Sequence, residues 1–201
     1  MTDQAARRSA RRERRTKETT IDVVLDLDGT GVVDVVTGLP FFDHMLAQLG
    51  RHGGFDLSIE ARGDLQVDAH HTVEDVGTAL GRALRDAIGG GAGIRRYGSA
   101  HAPLDEALVL AVVDVSGRPF LHYAADVPRQ RLGAYDTGLT EEFFRAFAVQ
   151  AAITLHVLLV HGRNAHHIVE AAFKAVALAL DRATEPDPRI HDVPSTKGTL
   201  A

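Results

Sequence analysis

Residues 69–87 read AHHTVEDVGTALGRALRDA and residues 165–183 read AHHIVEAAFKAVALALDRA; at this fixed offset of 96, nine of nineteen positions are identical. A repeat of that length constrains the fold more than any single motif, because a second copy of a segment implies a second copy of what it packs against. The shared apolar positions are Ala79, Ala83, Leu84 and Ala87 against Ala175, Ala179, Leu180 and Ala183. They recur at helical spacing, so both segments predict amphipathic helices with the same buried face. A chain of 201 residues is long enough for two such units around a real core.

The flanking segments repeat too. Residues 20–27 alternate, end at Asp28-Gly29-Thr30-Gly31 and are followed by 32–36, a pattern that predicts a hairpin. Pro40 opens a short helix through Phe42, Met45, Leu46 and Leu49, stopped by Gly53-Gly54. Residues 55–61 alternate as a strand before the first HH helix, which ends near Gly89-Gly90-Gly91. The second half keeps this order: strands at 104–115 and 119–125 around Ser116-Gly117, a helix near 139–152, a strand at 153–160, then the second HH helix. The expected class is α+β, an internally duplicated strand-strand-helix-strand-helix unit with two sheets backed by helices. The expected boundaries are 18–93 for the first half, 94–185 for the second and 186–201 for a C-terminal tail, all in one compact domain.

Charge sets residues 1–17 apart. They hold seven of the 22 Lys and Arg side chains and two of the 27 Asp and Glu, which leaves 15 basic and 25 acidic residues in the rest. An acidic body repels phosphate backbones, so no nucleic-acid partner is expected. The arm (Arg7, Arg8, Arg11, Arg12, Arg14, Arg15, Lys17) predicts a solvated, disordered extension without the apolar core of a secretory signal. No apolar run reaches the roughly 18 residues of a membrane helix, so no membrane partner is expected and the cytoplasm is the expected location. The absence of cysteine excludes thiolate ligands, thiol nucleophiles and disulfides, so any metal must sit on N and O donors.

Those donors are in the repeat. On a helix, His70 and Glu74 are four residues apart and share a face, whereas His71 is turned by about 100° from His70. One HHxxE therefore supplies parts of two metal sites rather than one whole site, and its twin at His166, His167 and Glu170 supplies the others. A single copy would more readily be a solvated or hydrogen-bonded surface pair. In two copies, however, His, His and Glu persist where Thr72/Ile168 and Asp75/Ala171 diverged. The same symmetry adds His44, 26 residues before His70, and Glu142, 24 residues before His166.

The segments FFDHML (41–46), DAHHTVED (68–75), GRNAHHIVEAAFKA (162–175) and VPSTKG (193–198) resemble the imidazoleglycerol-phosphate dehydratase family, in order, from about residue 18 to 201. The resemblance implies a fold like the second domain of ribosomal protein S5, two Mn²⁺ per active site, and a homo-oligomeric 24-subunit shell with sites between subunits. It implies the loss of water from imidazole glycerol phosphate to give imidazole acetol phosphate in histidine biosynthesis. The proton to be removed lacks a neighbouring carbonyl, and the expected route makes the ring the electron sink, through an imidazolate and a diazafulvene. His44, His70, His71, Glu74, Glu142, His166, His167 and Glu170 become the expected ligands, although the family pattern carries His where this chain has Glu142. Glu18 becomes the expected acid/base, with His70 and His167 essential to catalysis. Arg96, Arg118, Lys174, Ser195, Thr196 and Lys197 become expected phosphate contacts and His52 a substrate contact. Lys174 is equally placed for an ordinary ion pair with Glu170, and His52 to cap its helix. A dinuclear phosphoesterase and a metal-stapled assembly protein would use the same donors.

Overall fold

The computed structural model describes residues 7–200. Two four-stranded sheets are built in the same way. In the first, β1 (Ser9–Arg15), β2 (Thr19–Asp26), β3 (Val33–Val36) and β4 (Asp56–Gly63) lie in the order β1-β2-β4-β3. In the second, β5 (Tyr97–Leu104), β6 (Ala107–Asp114), β7 (Phe120–Ala124) and β10 (Thr154–His161) lie in the order β5-β6-β10-β7. The first three strands of each order pair antiparallel and the last pairs parallel. Helices α1 (Pro40–Gly53) and α2 (His70–Ile88) cover the first sheet; α3 (Leu139–Ala151) and α4 (Ala165–Thr184) cover the second.

Three expectations need correction. The segments at 20–27 and 32–36 do not form a hairpin: β3 pairs parallel with β4, Val33 opposite Leu57, and α1 makes the crossover that parallel pairing requires. The second half does likewise, β7 pairing parallel with β10 through α3. Each half also starts with a strand the sequence reading lacks, β1 and β5, so the unit is strand-strand-strand-helix-strand-helix.

The basic arm is not disordered over its described part, because residues 9–15 form edge strand β1 along β2. Its arginines find the acids of the body: Arg11 Nη2 lies 2.7 Å from Asp22 and Arg8 Nη2 2.6 Å from Asp28, while Arg12 pairs with Asp86. Arg14 Nε lies 2.7 Å from the buried Asp75 on α2, whose other oxygen accepts from Thr19 Oγ1. The carboxyls of Asp22 and Asp28 are accordingly held below their ordinary values, first by hydrogen bonds from Arg11 and Arg8. The first half therefore begins before residue 18. Residues 1–6 of the arm lie outside the described residues.

The core sits between the helix layers and the sheets. Alternation buries Ile21, Val23 and Leu25 of β2 and Val109, Ala111 and Val113 of β6. Across the middle, α2 packs on α3 and α1 on α4, which ties the halves into one body. Here the repeat diverges for a steric reason. A Cβ on Gly77 would stand 2.8 Å from the Phe143 carbonyl oxygen, so α2 must lack a side chain where α3 crosses it. The counterpart of Gly77 is Phe173, which stacks on Phe143 at 5.1 Å within a cluster of buried phenylalanines. A two-stranded hairpin, β8 (Arg131–Leu132) and β9 (Tyr135–Asp136), lies between β7 and α3 with no counterpart in the first half. No helix among the described residues is long and apolar enough to cross a membrane.

Candidate metal centre and active site

The HH motifs occupy the first turns of α2 and α4, and in each a side chain just before the helix accepts from a first-turn backbone N–H. Asp68 Oδ1 accepts from the His70 backbone N–H at 2.8 Å, and Asn164 Oδ1 accepts from that of His166 at 2.9 Å. Both contacts satisfy orphan donors of the first turn, and in α4 the acceptor Asn164 is the N-cap itself.

Packing of α1 on α4 brings together donors from the two halves. His44 Nε2 and His166 Nε2 lie 3.2 and 3.1 Å from the same oxygen, Glu170 Oε2, and one ligand atom from each of the three residues falls within 4.8 Å of the others. This is the single group of three or more such donors among the described residues. Two imidazoles and a carboxylate suit a borderline or hard divalent cation, so the residues fit the expected metal. Glu170 is buried, and its second oxygen takes Lys174 Nζ at 2.6 Å. Burial pushes the Glu170 carboxyl up, but the Lys174 hydrogen bond and charge, with those from His44 and His166, outweigh it and hold it below its ordinary value. Phe41 meets the His166 ring edge-on at 5.2 Å and limits its rotation. Along α1, Gln48 links the His44 ring at 3.4 Å to His52 Nε2 at 2.9 Å. Burial first, and then the charge of Lys174, push the His52 ring pKa down.

The other predicted donors lie outside this cluster. His71 Nδ1 is 3.0 Å from Asp64 and 3.8 Å from Glu18, so the expected acid/base does come up to an HH histidine. His167 Nδ1 is 2.6 Å from Glu106. The hydrogen bonds that His71 and His167 donate to Asp64 and Glu106 are the largest influences raising the pKa of the two rings. The Glu106 carboxyl falls to about 2, chiefly through the Asn164 backbone N–H and then His167. His70 stands edge-on to His71 at 6.3 Å, and Glu74 is exposed. Glu142 faces Arg145 at 3.7 Å and does not meet the donors of α2 that symmetry assigns to it.

Five of the predicted phosphate contacts converge elsewhere. Arg96, Arg118, Ser195, Thr196 and Lys197 line one polar cleft of about 750 Å³, apart from Lys174. Arg96, in the left-handed region at φ 72°, binds Asp114 at 2.7 Å and the Pro194 carbonyl at 2.7 Å, and so ties the tail to the second sheet. Sequence reasoning missed Asp64, Glu106, Gln48 and Asp114, none of which falls in the repeated segment.

Fold and donor set together define a duplicated α+β protein with a histidine- and glutamate-lined candidate metal centre. The imidazoleglycerol-phosphate dehydratase family model matches residues 37–180. The dehydratase of Symbiobacterium thermophilum is 59% identical over 187 residues, 93% of this chain and 90% of that one. The Cereibacter sphaeroides protein of the same name is 57% identical over 194 residues, 96% of this chain and all of that one. The crystal structure of the Staphylococcus aureus dehydratase superposes with a TM-score of 0.81 at 37% identity, covering 89% of this chain and 99% of that one. That of Pyrococcus furiosus, in complex with (S)-C348, gives 0.81 and 37%, covering 94% and 100%. The chain belongs to the imidazoleglycerol-phosphate dehydratase family, hydro-lyases of histidine biosynthesis.

Proposed function

We propose that this chain dehydrates D-erythro-imidazole glycerol phosphate to imidazole acetol phosphate at a two-manganese site completed between subunits of a homo-oligomer, a 24-mer by family resemblance, in the cytoplasm. The observation that carries the reading is the His44–His166–Glu170 cluster, in which donors from both halves meet. His70, His71, Glu74, Glu142 and His167 are the remaining donors. Among the described residues they gather into no such group, and in this reading a second copy of the chain completes their site. Bound manganese would lower the pKa of the substrate's ring N–H and so make the ring an electron sink.

The chain's own residues divide the remaining work. Glu18 is the acid/base that moves the carbon-bound proton, and its 3.8 Å approach to His71 puts it beside a donor. Arg96, Arg118, Ser195, Thr196 and Lys197 form a fixed cationic cleft for a phosphate, where charge-assisted hydrogen bonds are strongest. Lys174 instead orders Glu170 and adds positive charge beside His52.

The test is turnover of imidazole glycerol phosphate by purified protein, after chelation and again with Mn²⁺ restored. Activity that disappears and returns with Mn²⁺, giving imidazole acetol phosphate, is the expected result. Release of inorganic phosphate would favour the phosphoesterase reading, and no turnover with any divalent ion would overturn the proposal.

A further inference from the structure

His71 and His167 are repeat counterparts, each second in its HH pair at the start of α2 or α4. Each directs Nδ1 at a carboxylate: His71 at Asp64 Oδ2, 3.0 Å away, and His167 at Glu106 Oε2, 2.6 Å away. Those carboxylates are not repeat counterparts. Asp64 directly follows β4, where the second half has Gly162 directly after β10; Glu106 directly precedes β6, and the residue directly before β2 in the first half is Glu18, 3.8 Å from His71 Nδ1. The place before the second strand thus brings a carboxylate toward the second histidine in both halves, and in the first half Asp64 makes the hydrogen bond that Glu106 makes in the second.

A carboxylate that accepts from Nδ1–H settles three things about a neutral imidazole. It fixes the tautomer, it leaves the Nε2 lone pair free, and it stops the ring from turning. His44 and His166 already direct Nε2 at their cluster. We infer that Asp64 and Glu106 are positioning residues that make His71 and His167 donate to metal through Nε2, so that the four histidines bind alike. This rests on the two-metal reading above.

The carboxylates differ in a way that makes the inference testable. Glu106 also accepts from the backbone N–H groups of Arg163 and Asn164, at 3.1 and 2.7 Å, and so braces the entry to α4. The Asp64 carboxylate has His71 as its single hydrogen-bonding partner among the described residues. Asp64→Ala is therefore the clean variant, Asp64→Asn the conservative one that can still accept from Nδ1–H, and Glu106→Gln the companion.

The measurement is Mn²⁺ affinity of the assembled protein by chelator competition, with melting temperature and steady-state kinetics alongside. Asp64→Ala is expected to weaken Mn²⁺ binding about 10–100-fold. Its kcat should recover at saturating Mn²⁺ with the substrate KM unchanged, and Asp64→Asn should fall between Ala and wild type. Wild-type Mn²⁺ affinity in Asp64→Ala, or a lowered melting temperature with unaltered affinity, would overturn the inference and leave the two-metal reading standing. Failure of the unaltered protein to bind Mn²⁺ stoichiometrically would overturn both. If Glu106→Gln lowers the melting temperature, its bracing role accounts for that, and Asp64 still decides.

Discussion

Adding one methyl group to the second sheet tests how closely the helix layer is fitted to it. A Cβ built on Gly98 of β5 would stand 2.7 Å from the Ala183 backbone nitrogen and 3.0 Å from the Ala179 carbonyl carbon, with the Ala179 oxygen closer still. Comfortable carbon contacts begin at about 3.5 Å, so α4 would have to withdraw or β5 bend by about 1 Å. The obstacle is backbone, which cannot swing aside as a side chain can. Overpacking costs about 1–3 kcal/mol, and this geometry belongs at the upper end. Replacing glycine returns about 0.5–1 kcal/mol of chain entropy, so the net cost of Gly98→Ala is about 2 kcal/mol. For a domain of this size that is a fall of about 4–8 °C in Tm. Two controls separate sterics from glycine loss in general. Gly90→Ala meets nothing within 4 Å and needs no left-handed backbone, so it should be neutral. Gly133→Ala also meets open space, but at φ +65°, and should cost about 1 kcal/mol of backbone strain alone. The assay is thermal unfolding at fixed protein and Mn²⁺ concentration, since both shift apparent stability. A Gly98→Ala protein melting within about 1 °C of wild type would refute the reasoning.

Two further outcomes are expected. Glu18→Gln should lower kcat at least about 100-fold with KM nearly intact, as loss of a proton-transfer group does; steady-state kinetics that showed a change confined to KM would make Glu18 a binding residue. Asp181, in the last turn of α4, has its pKa raised first by burial and then by Glu185, so its charged form is disfavoured on folding. The folded value lies above the unfolded one, so the penalty is full at neutral pH and is relieved as pH falls to about 3.8 and below. Asp181→Asn should thus raise stability at pH 7 by about 0.5 kcal/mol, allowing for solvent screening, and make no difference near pH 3. Thermal melts across that range check it, and a gain that grew toward acid pH would contradict the sign.

The four main helices and the strands between them were legible because their apolar periodicity serves one shared core. The two strands that escaped, β1 and β5, hold the same edge place in their sheets, and each lacks that signal for a physical reason. The inward positions of β5 are Gly98, Ala100 and Ala102, kept small because α4 lies so close. The face of β1 toward α2 carries Arg12 and Arg14, which dock on Asp86 and Asp75 through charge rather than apolar burial. A period-2 search sees neither. The charge imbalance between residues 1–17 and the body was visible, yet composition alone does not distinguish a solvated arm from one neutralised strand against sheet. The parallel pairing of β3 and β7 was hidden for a related reason: short strands separated by a turn signal read as a hairpin unless the crossover helix is weighed.

Repeat comparison divides the candidate site in the same way. It picked out His70, His71, Glu74, His166, His167 and Glu170 because they are identical in the two copies while polar neighbours such as Thr72/Ile168 and Asp75/Ala171 differ. It could not find Asp64 and Glu106, because both lie outside the repeated segment and stand at different places in their halves, one after β4 and one before β6. Nor does it separate His44 from Glu142, which hold corresponding places on α1 and α3. Packing separates them: α1 meets α4 and sets His44 Nε2 3.2 Å from Glu170, whereas Glu142 turns to Arg145 one helical turn along its own α3. Symmetry of sequence thus identifies donors, but the asymmetry of the helix contacts decides which donors one chain can assemble by itself.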